Sequence, residues 1–235
     1  AGKTSGAQAQ ETIAHIKQQA PRVTRVQARA VSREDYEIAA EAVPGVARAL
    51  HLDADTDEAV PENEGFLYIV PEGGGAPTQT LLDPVRDQFE NTDPTVDPPF
   101  AKTNTYQLSY VGGQYTTVNI QAVIYLRKGA VAATVKAAIL ANLATFFAIV
   151  NEDGSKNDQI NFGYYIQDID GNPTNSLPWS DLFNVVRDTT GVLKVDGGAT
   201  GFLLNDERGD VELTTRGFPV QGTVTLIDGL TGLTM

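Results

Sequence analysis

Four carboxylates have the clearest chemical spacing in the chain: Asp53, Asp55, Asp57 and Glu64. Counted from Asp53 they occupy positions 1, 3, 5 and 12, which are ligand positions in the calcium loops that join two helices. The sixth position is Glu58, where such a loop needs glycine, and the flanking residues have the pattern of strands. We therefore predict a solvated acidic loop between two strands, with no metal and no other cofactor. Calcium binding is the alternative.

A second acidic run, Asp168-Ile169-Asp170-Gly171-Asn172, repeats the alternate spacing of carboxylates. It lacks the closing carboxylate that completes a calcium loop. Asp, Gly and Asn are also the residues that turns prefer, because they tolerate the backbone angles of a turn and bond to it locally. We predict a plain turn at this run.

The residue types that enzymes use as nucleophiles and bases are scarce in this sequence. There is no cysteine, and no neighbouring pattern orients the two histidines, His15 and His51, as general bases. No G-x-S-x-G motif occurs, and Gly73-Gly74-Gly75 is followed by Ala-Pro instead of the Lys-Ser/Thr pair of a phosphate-binding loop. We predict that the protein is not an enzyme. The alternative, a hydrolase that uses the acidic pairs, would turn over a panel of generic substrates.

Three arginines, Arg29, Arg33 and Arg48, form the densest basic group in an acidic chain. A basic group on an acidic protein is a candidate contact for another protein, because charge complementarity guides docking. The simpler interpretation is a solvated helix face with local ion pairs, which contribute little to stability. We treat the three arginines as candidate interface residues.

Several tyrosines raise another candidate function, that of a carbohydrate-binding or receptor-binding module. They are Tyr106, Tyr110, Tyr115, Tyr164 and Tyr165. Aromatic rings can stack on sugars, but tyrosines in strands usually pack half-buried against their neighbours. A glycan array would separate the two interpretations.

The charge of the chain excludes several classes of partner. Its 235 residues contain 17 Lys and Arg against 30 Asp and Glu, a net charge of −13. Nucleic acid is excluded as the main partner because phosphate binding needs a basic face, and an anionic membrane surface is disfavoured for the same reason. The apolar stretch 131–150 is interrupted by Lys136 and Asn142. Its apolar residues recur every three or four positions, which predicts a core helix and no membrane span.

The rest of the chain has the pattern of alternating helices and strands. A capping box of Ser32 and Asp35 predicts the start of one helix, and Pro178 predicts the start of another. The predicted helices cover 11–19 (ending before Pro21), 33–42, 81–90 and 131–149. The predicted strands cover 46–52, 65–71, 105–111, 115–127, 160–169, 192–195 and 217–227. Alternation on both sides of Gly112-Gly113 predicts a hairpin there.

An internal similarity organises these elements. Residues 31–52 align without gaps with residues 177–198, at an offset of 146, and both contain a helix, a glycine and a strand. We predict a left-handed conformation at Gly45 and Gly191, so that valine at either position destabilises the fold more than valine at Gly74. The predicted fold class is α+β, with tandem αββα-type (ferredoxin-like) units and mixed or antiparallel sheets. The predicted organisation is a helical connector at 1–30, a first unit at 31–112 and a second at 113–235.

The segment around the capping box resembles the baseplate J-like family, wedge proteins of contractile phage tails and related injection machines. The similarity is carried by Ala20-Pro21, by QARAVSREDY at 27–36 and by VPGVARA at 43–49, with Ser32 in place of the usual threonine. A weaker similarity continues through 115–127 and the long helix to Leu177-Pro178 and Gly191-Val192. The family region that precedes Ala20-Pro21 is nearly missing, so we expect the C-terminal portion of a longer protein.

The resemblance implies a non-enzymatic assembly protein of the tail baseplate. Its expected partners are copies of itself and other baseplate and tail proteins, arranged with sixfold symmetry. Its expected location is the virion, after assembly in the cytoplasm of the host bacterium.

Overall fold

A computed structural model describes residues 13–26, 29–90, 100–103, 105–163 and 175–235. The fold is α+β with mixed and antiparallel sheets, which confirms the predicted class. The chain forms two compact units, Ala1–Gly113 with Ile149–Lys156, and Gln114–Ala148 with Asn157–Met235.

The first unit contains a sheet of three strands. Its elements are α1 (Ile13–Val26), α2 (Arg33–Glu41), β1 (Val46–Asp53), β2 (Glu64–Pro71), α3 (Gln79–Asp87) and β3 (Gln107–Gly112). β2 is central, antiparallel to β1 and parallel to β3. The order α2–β1–β2–α3 is the expected αββα order, and the chain then adds β3 through the β2–α3–β3 crossover.

The second unit is built around one long strand. Its elements are β4 (Gln114–Leu126), α4 (Ala132–Phe146), β5 (Ser176–Leu177), α5 (Trp179–Arg187), β6 (Val192–Val195), β7 (Phe202–Leu204), β8 (Val211–Glu212) and β9 (Gly217–Asp228). β9 runs parallel to β4 along one edge, whereas β6 and β7 pair antiparallel with successive parts of the other edge. After α5 the chain continues through four strands, so this unit departs from the αββα order.

The predicted hairpin at Gly112-Gly113 is wrong, because β3 and β4 belong to different sheets. The N–H of Gly113 donates to the carbonyl of Ile69 at 2.9 Å, so the chain keeps bonding to β2 through the glycine pair and does not turn back. Period-two alternation predicts a strand but not its partner. Two adjacent alternating stretches are therefore compatible both with a hairpin and with strands of two different sheets.

The predicted end of the first helix before Pro21 is also wrong, since α1 continues to Val26. Proline removes one helical N–H, and side-chain bonds hold the following turn. Thr24 Oγ1 donates to the Ala20 carbonyl at 2.8 Å, and Arg22 pairs with Glu41 on α2 at 2.6 Å. Residues 164–169 of the predicted strand, the run 168–172 and two tyrosines, 164 and 165, lie outside the described residues.

The capping box of α2 is confirmed. Ser32 Oγ accepts from the N–H of Asp35 at 3.3 Å, and the Asp35 carboxylate accepts from the N–H of Ser32 at 2.8 Å. This start orients the face of α2 that carries Ile38 and Ala39, both fully buried in the first core. The helix therefore has a fixed register against β1.

Gly45 and Gly191 end α2 and α5 in the left-handed conformation that the sequence predicted, with φ of +92° and +94°. A Cβ at Gly191 would lie 2.6 Å from Val135 Cγ2, and one at Gly45 would lie 3.3 Å from Leu81 Cδ1. Gly74 also has a positive φ, +70°, so it is not a neutral control. Gly73 has open space around it and no such φ.

We expect Gly191→Ala to lower the free energy of unfolding by about 2 kcal/mol, since an L residue is strained at this φ and its Cβ contacts Val135. Gly45→Ala should lower the free energy of unfolding by about 1 kcal/mol, through the strain of its backbone conformation alone. Gly73→Ala, the matched control, should stay within about 0.5 kcal/mol of the wild type. Urea unfolding measures all three. Equal effects at the three positions would contradict the shared role of Gly45 and Gly191 as helix ends.

Candidate functional site

Two carboxylates of α2 cover the outer edge of β1. Glu37 and Glu41 lie one helical turn apart and share a face of the helix. The N–H of His51 donates to Glu37 Oε1 at 3.1 Å, and the N–H of Ala49 donates to Glu41 Oε1 at 3.2 Å. Asp53, next along this edge, donates its N–H to a threonine hydroxyl at 2.9 Å. The three outward N–H groups of β1 at 49, 51 and 53 are thus all satisfied by side chains, which prevents another strand from pairing there.

Glu41 is the centre of a buried ion cluster. Its side chain is 3% exposed and contacts Arg22 Nη1 at 2.6 Å and Lys156 Nζ. Burial alone would raise the pKa of Glu41, but the charges and hydrogen bonds of Lys156 and Arg22 outweigh burial and lower it. Burial lowers the pKa of Lys156, and the Glu41 carboxylate opposes that effect. One carboxylate therefore joins α1, α2, β1 and segment 149–156 within the first unit.

Two of the three candidate arginines lie near this edge. Arg33 pairs with Glu37 at 2.9 Å, and burial raises the pKa of Glu37 while Arg33 opposes it. Arg48 is 3% exposed and donates from Nη1 to the Ala47 carbonyl at 2.8 Å, so its guanidinium bonds to the backbone of its own strand, β1. Arg29 is exposed and forms a backbone bridge with residue 101. A role for the three in an interface stays a prediction.

His51 lies in an aromatic cluster beside Glu37. Its ring stacks on Tyr36 with centroids 4.4 Å apart, and its Nε2 lies 2.8 Å from the Tyr106 hydroxyl. Burial lowers the pKa of His51 to about 4, opposed by Asp53. Gly65 leaves room for this hydrogen bond, because a Cβ there would overlap the Tyr106 hydroxyl. The imidazole is neutral at pH 7 and its Nε2 is already occupied. Its Nδ1 is also buried and has no hydrogen-bond partner among the described residues, so the ring is part of the packed interior of the first unit.

The predicted calcium ligands lie in and beside the loop between β1 and β2. Asp53 Oδ1 accepts from the N–H and hydroxyl of Thr56, at 3.1 and 2.9 Å, and Asp57 Oδ1 accepts from the N–H of Ala59 at 3.0 Å. These bonds shape the loop locally. Within the described part of the chain, no group of three or more histidine, aspartate or glutamate side chains could hold a metal ion. Calcium binding by Asp53, Asp55, Asp57 and Glu64 remains the untested alternative.

The described tyrosines among the five candidates pack against other rings. Tyr110 lies 6.4 Å from Phe89, and Tyr115 meets Phe218 edge-on at 6.3 Å, while Tyr106 bonds to His51. All three are half-buried, as strand tyrosines usually are. They form no exposed aromatic platform of the kind that stacks on a sugar.

The second unit has a polar cleft of about 250 Å³ on its large sheet. It is lined by Asn119, Ile120, Gln121, Asp206, Thr223 and Thr225. One wall is a two-residue turn at Asn205-Asp206, where both residues have positive φ as the turn requires. Asn119 bonds to the Thr223 N–H at 2.9 Å, so part of the lining is used by the sheet itself.

Comparison with known proteins finds a likeness to solved structures. The sequence matches no protein-family model and no curated protein. The structure is similar, with a TM-score of 0.55 and 13% identity, to a chain in a cryo-EM structure of the anti-feeding prophage (AFP) baseplate, 6-fold symmetrised. The likeness is one of fold. It covers 88% of this chain, which spans 40% of the length of that chain.

In the described part of the chain, no helix has both the length and the apolar character needed to cross a bilayer. The longest one, α4, has 15 residues, or about 22 Å at the rise of an α-helix.

Sequence patterns did not single out three buried or half-buried charges of the first unit, Glu37, Glu41 and Lys156. Glu37 and Glu41 had a local signal, since they lie four residues apart on either side of the apolar run 38–40. Lys156 had none, because it lies 115 residues from Glu41 in the sequence. A long-range ion pair leaves no mark in composition or periodicity.

Proposed function

We propose that the protein is a structural wedge component of the baseplate of a contractile phage tail or a related injection machine, where it acts in tail assembly through protein–protein contacts. The observation that carries this proposal is the likeness of fold over 88% of the chain to a chain of the AFP baseplate. The resemblance of residues 20–49 to the baseplate J-like family points the same way.

The proposed role is non-enzymatic. His51, the described histidine that could serve as a catalytic base, is bonded to Tyr106 through its Nε2. The buried carboxylate of Glu41 is neutralised by Arg22 and Lys156. Both groups are buried in the first unit, where their bonds stabilise a scaffold.

The proposed partners are other baseplate and tail proteins and further copies of the chain in a sixfold assembly within the virion. A net charge of −13 disfavours association of the free chain through long-range repulsion and favours docking on more basic neighbours. High salt should then slow entry into the assembly, because it screens these charges.

Deletion of the gene from its phage tests the proposal. We expect filled capsids with tails that are unattached or incomplete, and normal tails when the wild-type gene is supplied in trans. Electron microscopy of the particles, with an antibody label on a tagged chain, shows whether the chain is at the baseplate. Normal contractile tails in the deletion strain would refute the proposed function.

A further inference from the structure

β3 is the other edge strand of the first sheet, and no described residue covers its outer edge as side chains cover that of β1. The N–H of Gln107 donates to the carbonyl of Asn63 at 2.9 Å, so the odd-numbered residues of β3 face β2. The backbone groups of Leu108, Tyr110 and Gly112 therefore point away from the sheet. Among the described residues, none forms a backbone hydrogen bond with these outward groups.

The free part of this edge has a defined start. The outward carbonyl of Tyr106 accepts from Lys102 Nζ at 2.7 Å, which occupies the position just before β3. Beyond it, three N–H groups and three carbonyls, spaced two residues apart, have no hydrogen bond to any other described residue. This spacing matches the donors and acceptors of an extended chain, and strand addition to a sheet edge uses this arrangement.

Parts of the edges of β1 and β9 are protected. The outward N–H groups of β1 bond to carboxylates and a hydroxyl, as described above. On β9, Pro219 has no N–H to offer, the Leu226 carbonyl accepts from the N–H of Met235 at 2.9 Å, and the N–H of Asp228 donates to the Leu233 carbonyl. Proline, covering segments and side-chain bonds are usual means of preventing strand pairing. Among the described residues, β3 has none of them, since the bond from Lys102 is made one residue before the strand begins.

The hydrophobic core of the first unit is also less fully buried beside β3. The partly buried apolar side chains of the first core come from α3, from β3 and from the residue before it. They are Leu81, Leu82, Tyr106 and Tyr110. An added strand with apolar residues next to Leu108 and Tyr110 would extend this core. The neighbouring helix α3 exposes Asp87, and Asp83 that pairs with Arg86, on a chain of net charge −13; this excess of negative charge favours a basic partner.

We propose that β3 accepts an extended segment of a neighbouring protein as a fourth strand of the first sheet. The segment alternates apolar and polar residues and carries basic side chains near α3. The inference deepens the proposed function, on which it rests, since the neighbour is another protein of the tail.

Hydrogen exchange at single amides tests the proposal. Particles that contain the chain are exchanged in D₂O, then dissociated and read by NMR, and the free chain is treated in the same way. Strand addition should slow exchange at Leu108 and Tyr110 by about a hundredfold or more, and leave Ser109 and Val111, already bonded to β2, nearly unchanged. Unchanged exchange at Leu108 and Tyr110 in the assembled chain would overturn the proposal, as would uniform slowing over residues 107–112.

A pair of variants adds a functional measurement. Tyr110→Pro and Tyr110→Val both remove the ring, but only proline removes the outward N–H, which edge strands tolerate. Incorporation of the proline variant into particles should fall about tenfold below that of the valine variant. Equal incorporation of the two folded variants would contradict strand addition. If the proline variant does not fold, hydrogen exchange at Leu108 and Tyr110 of the wild-type chain tests strand addition by itself. Absence of the chain from particles would instead contradict the proposed function.

Discussion

Replacing Glu41 with glutamine is expected to lower the free energy of unfolding by about 3 kcal/mol. The substitution keeps the size of the side chain but leaves Arg22 and Lys156 without their buried counter-charge. Arg22 is 27% exposed and Lys156 16%, so water partly compensates, and the loss should lie at the low end for a broken buried pair. Chemical denaturation at pH 7 measures it.

The exposed Glu58 provides the matched control, because Glu58→Gln makes the same chemical change on the surface. It should alter stability by less than about 0.5 kcal/mol. The double variant Glu41→Leu with Lys156→Met should be more stable than Glu41→Gln, since it removes two buried charges together. If Glu41→Gln behaves like Glu58→Gln, Glu41 does not organise the first unit.

Acidification should destabilise the protein through His51 before most carboxylates titrate. The pKa of the buried imidazole is lowered from 6.5 to about 4, so between these values the unfolded chain binds a proton that the folded chain does not. The contribution of His51 to the free energy of unfolding is therefore fully present above pH 6.5 and is lost as the pH decreases towards 4. At 1.36 kcal/mol per pKa unit, the loss is about 2 kcal/mol by pH 5 and about 3 kcal/mol in full.

His51→Gln should remove most of this dependence between pH 7.5 and 5, whatever its effect on stability at pH 7.5. Urea unfolding across that range measures the slope. Asp53 and Arg33 influence the pKa of His51 in opposite directions, and both remain in the variant. The same measurement on His15→Gln assigns any remaining slope between the two histidines. A slope unchanged in His51→Gln would show that the imidazole titrates normally in the folded protein.

Local signals predicted the local structure of this protein well. Ser32 and Asp35 form the capping box, and Gly45 and Gly191 have the left-handed conformation, because each feature depends on residues only a few positions apart. The strand at 192–195 has the predicted bounds. The fold class followed from these elements.

Strand partners and buried charges could not be predicted in the same way. The pairing of β3 with β2 and of β4 with β9 depends on segments far apart in the chain, and alternation carries no information about them. The interface role of Arg29, Arg33 and Arg48 was inferred from composition alone. Composition did not distinguish the exposed Arg29 from the buried Arg48.

The pairing of Glu41 with Lys156 also has a consequence during translation. A ribosome adds about 5–20 residues per second, so Lys156 is synthesised about 6–23 s after Glu41, given the 115 residues between them. By the end of that interval the nascent chain contains every strand of the first sheet, while Glu41 still has only Arg22, among the described residues, as a counter-charge. The first unit therefore becomes complete only after β4 and α4 of the second have left the ribosome.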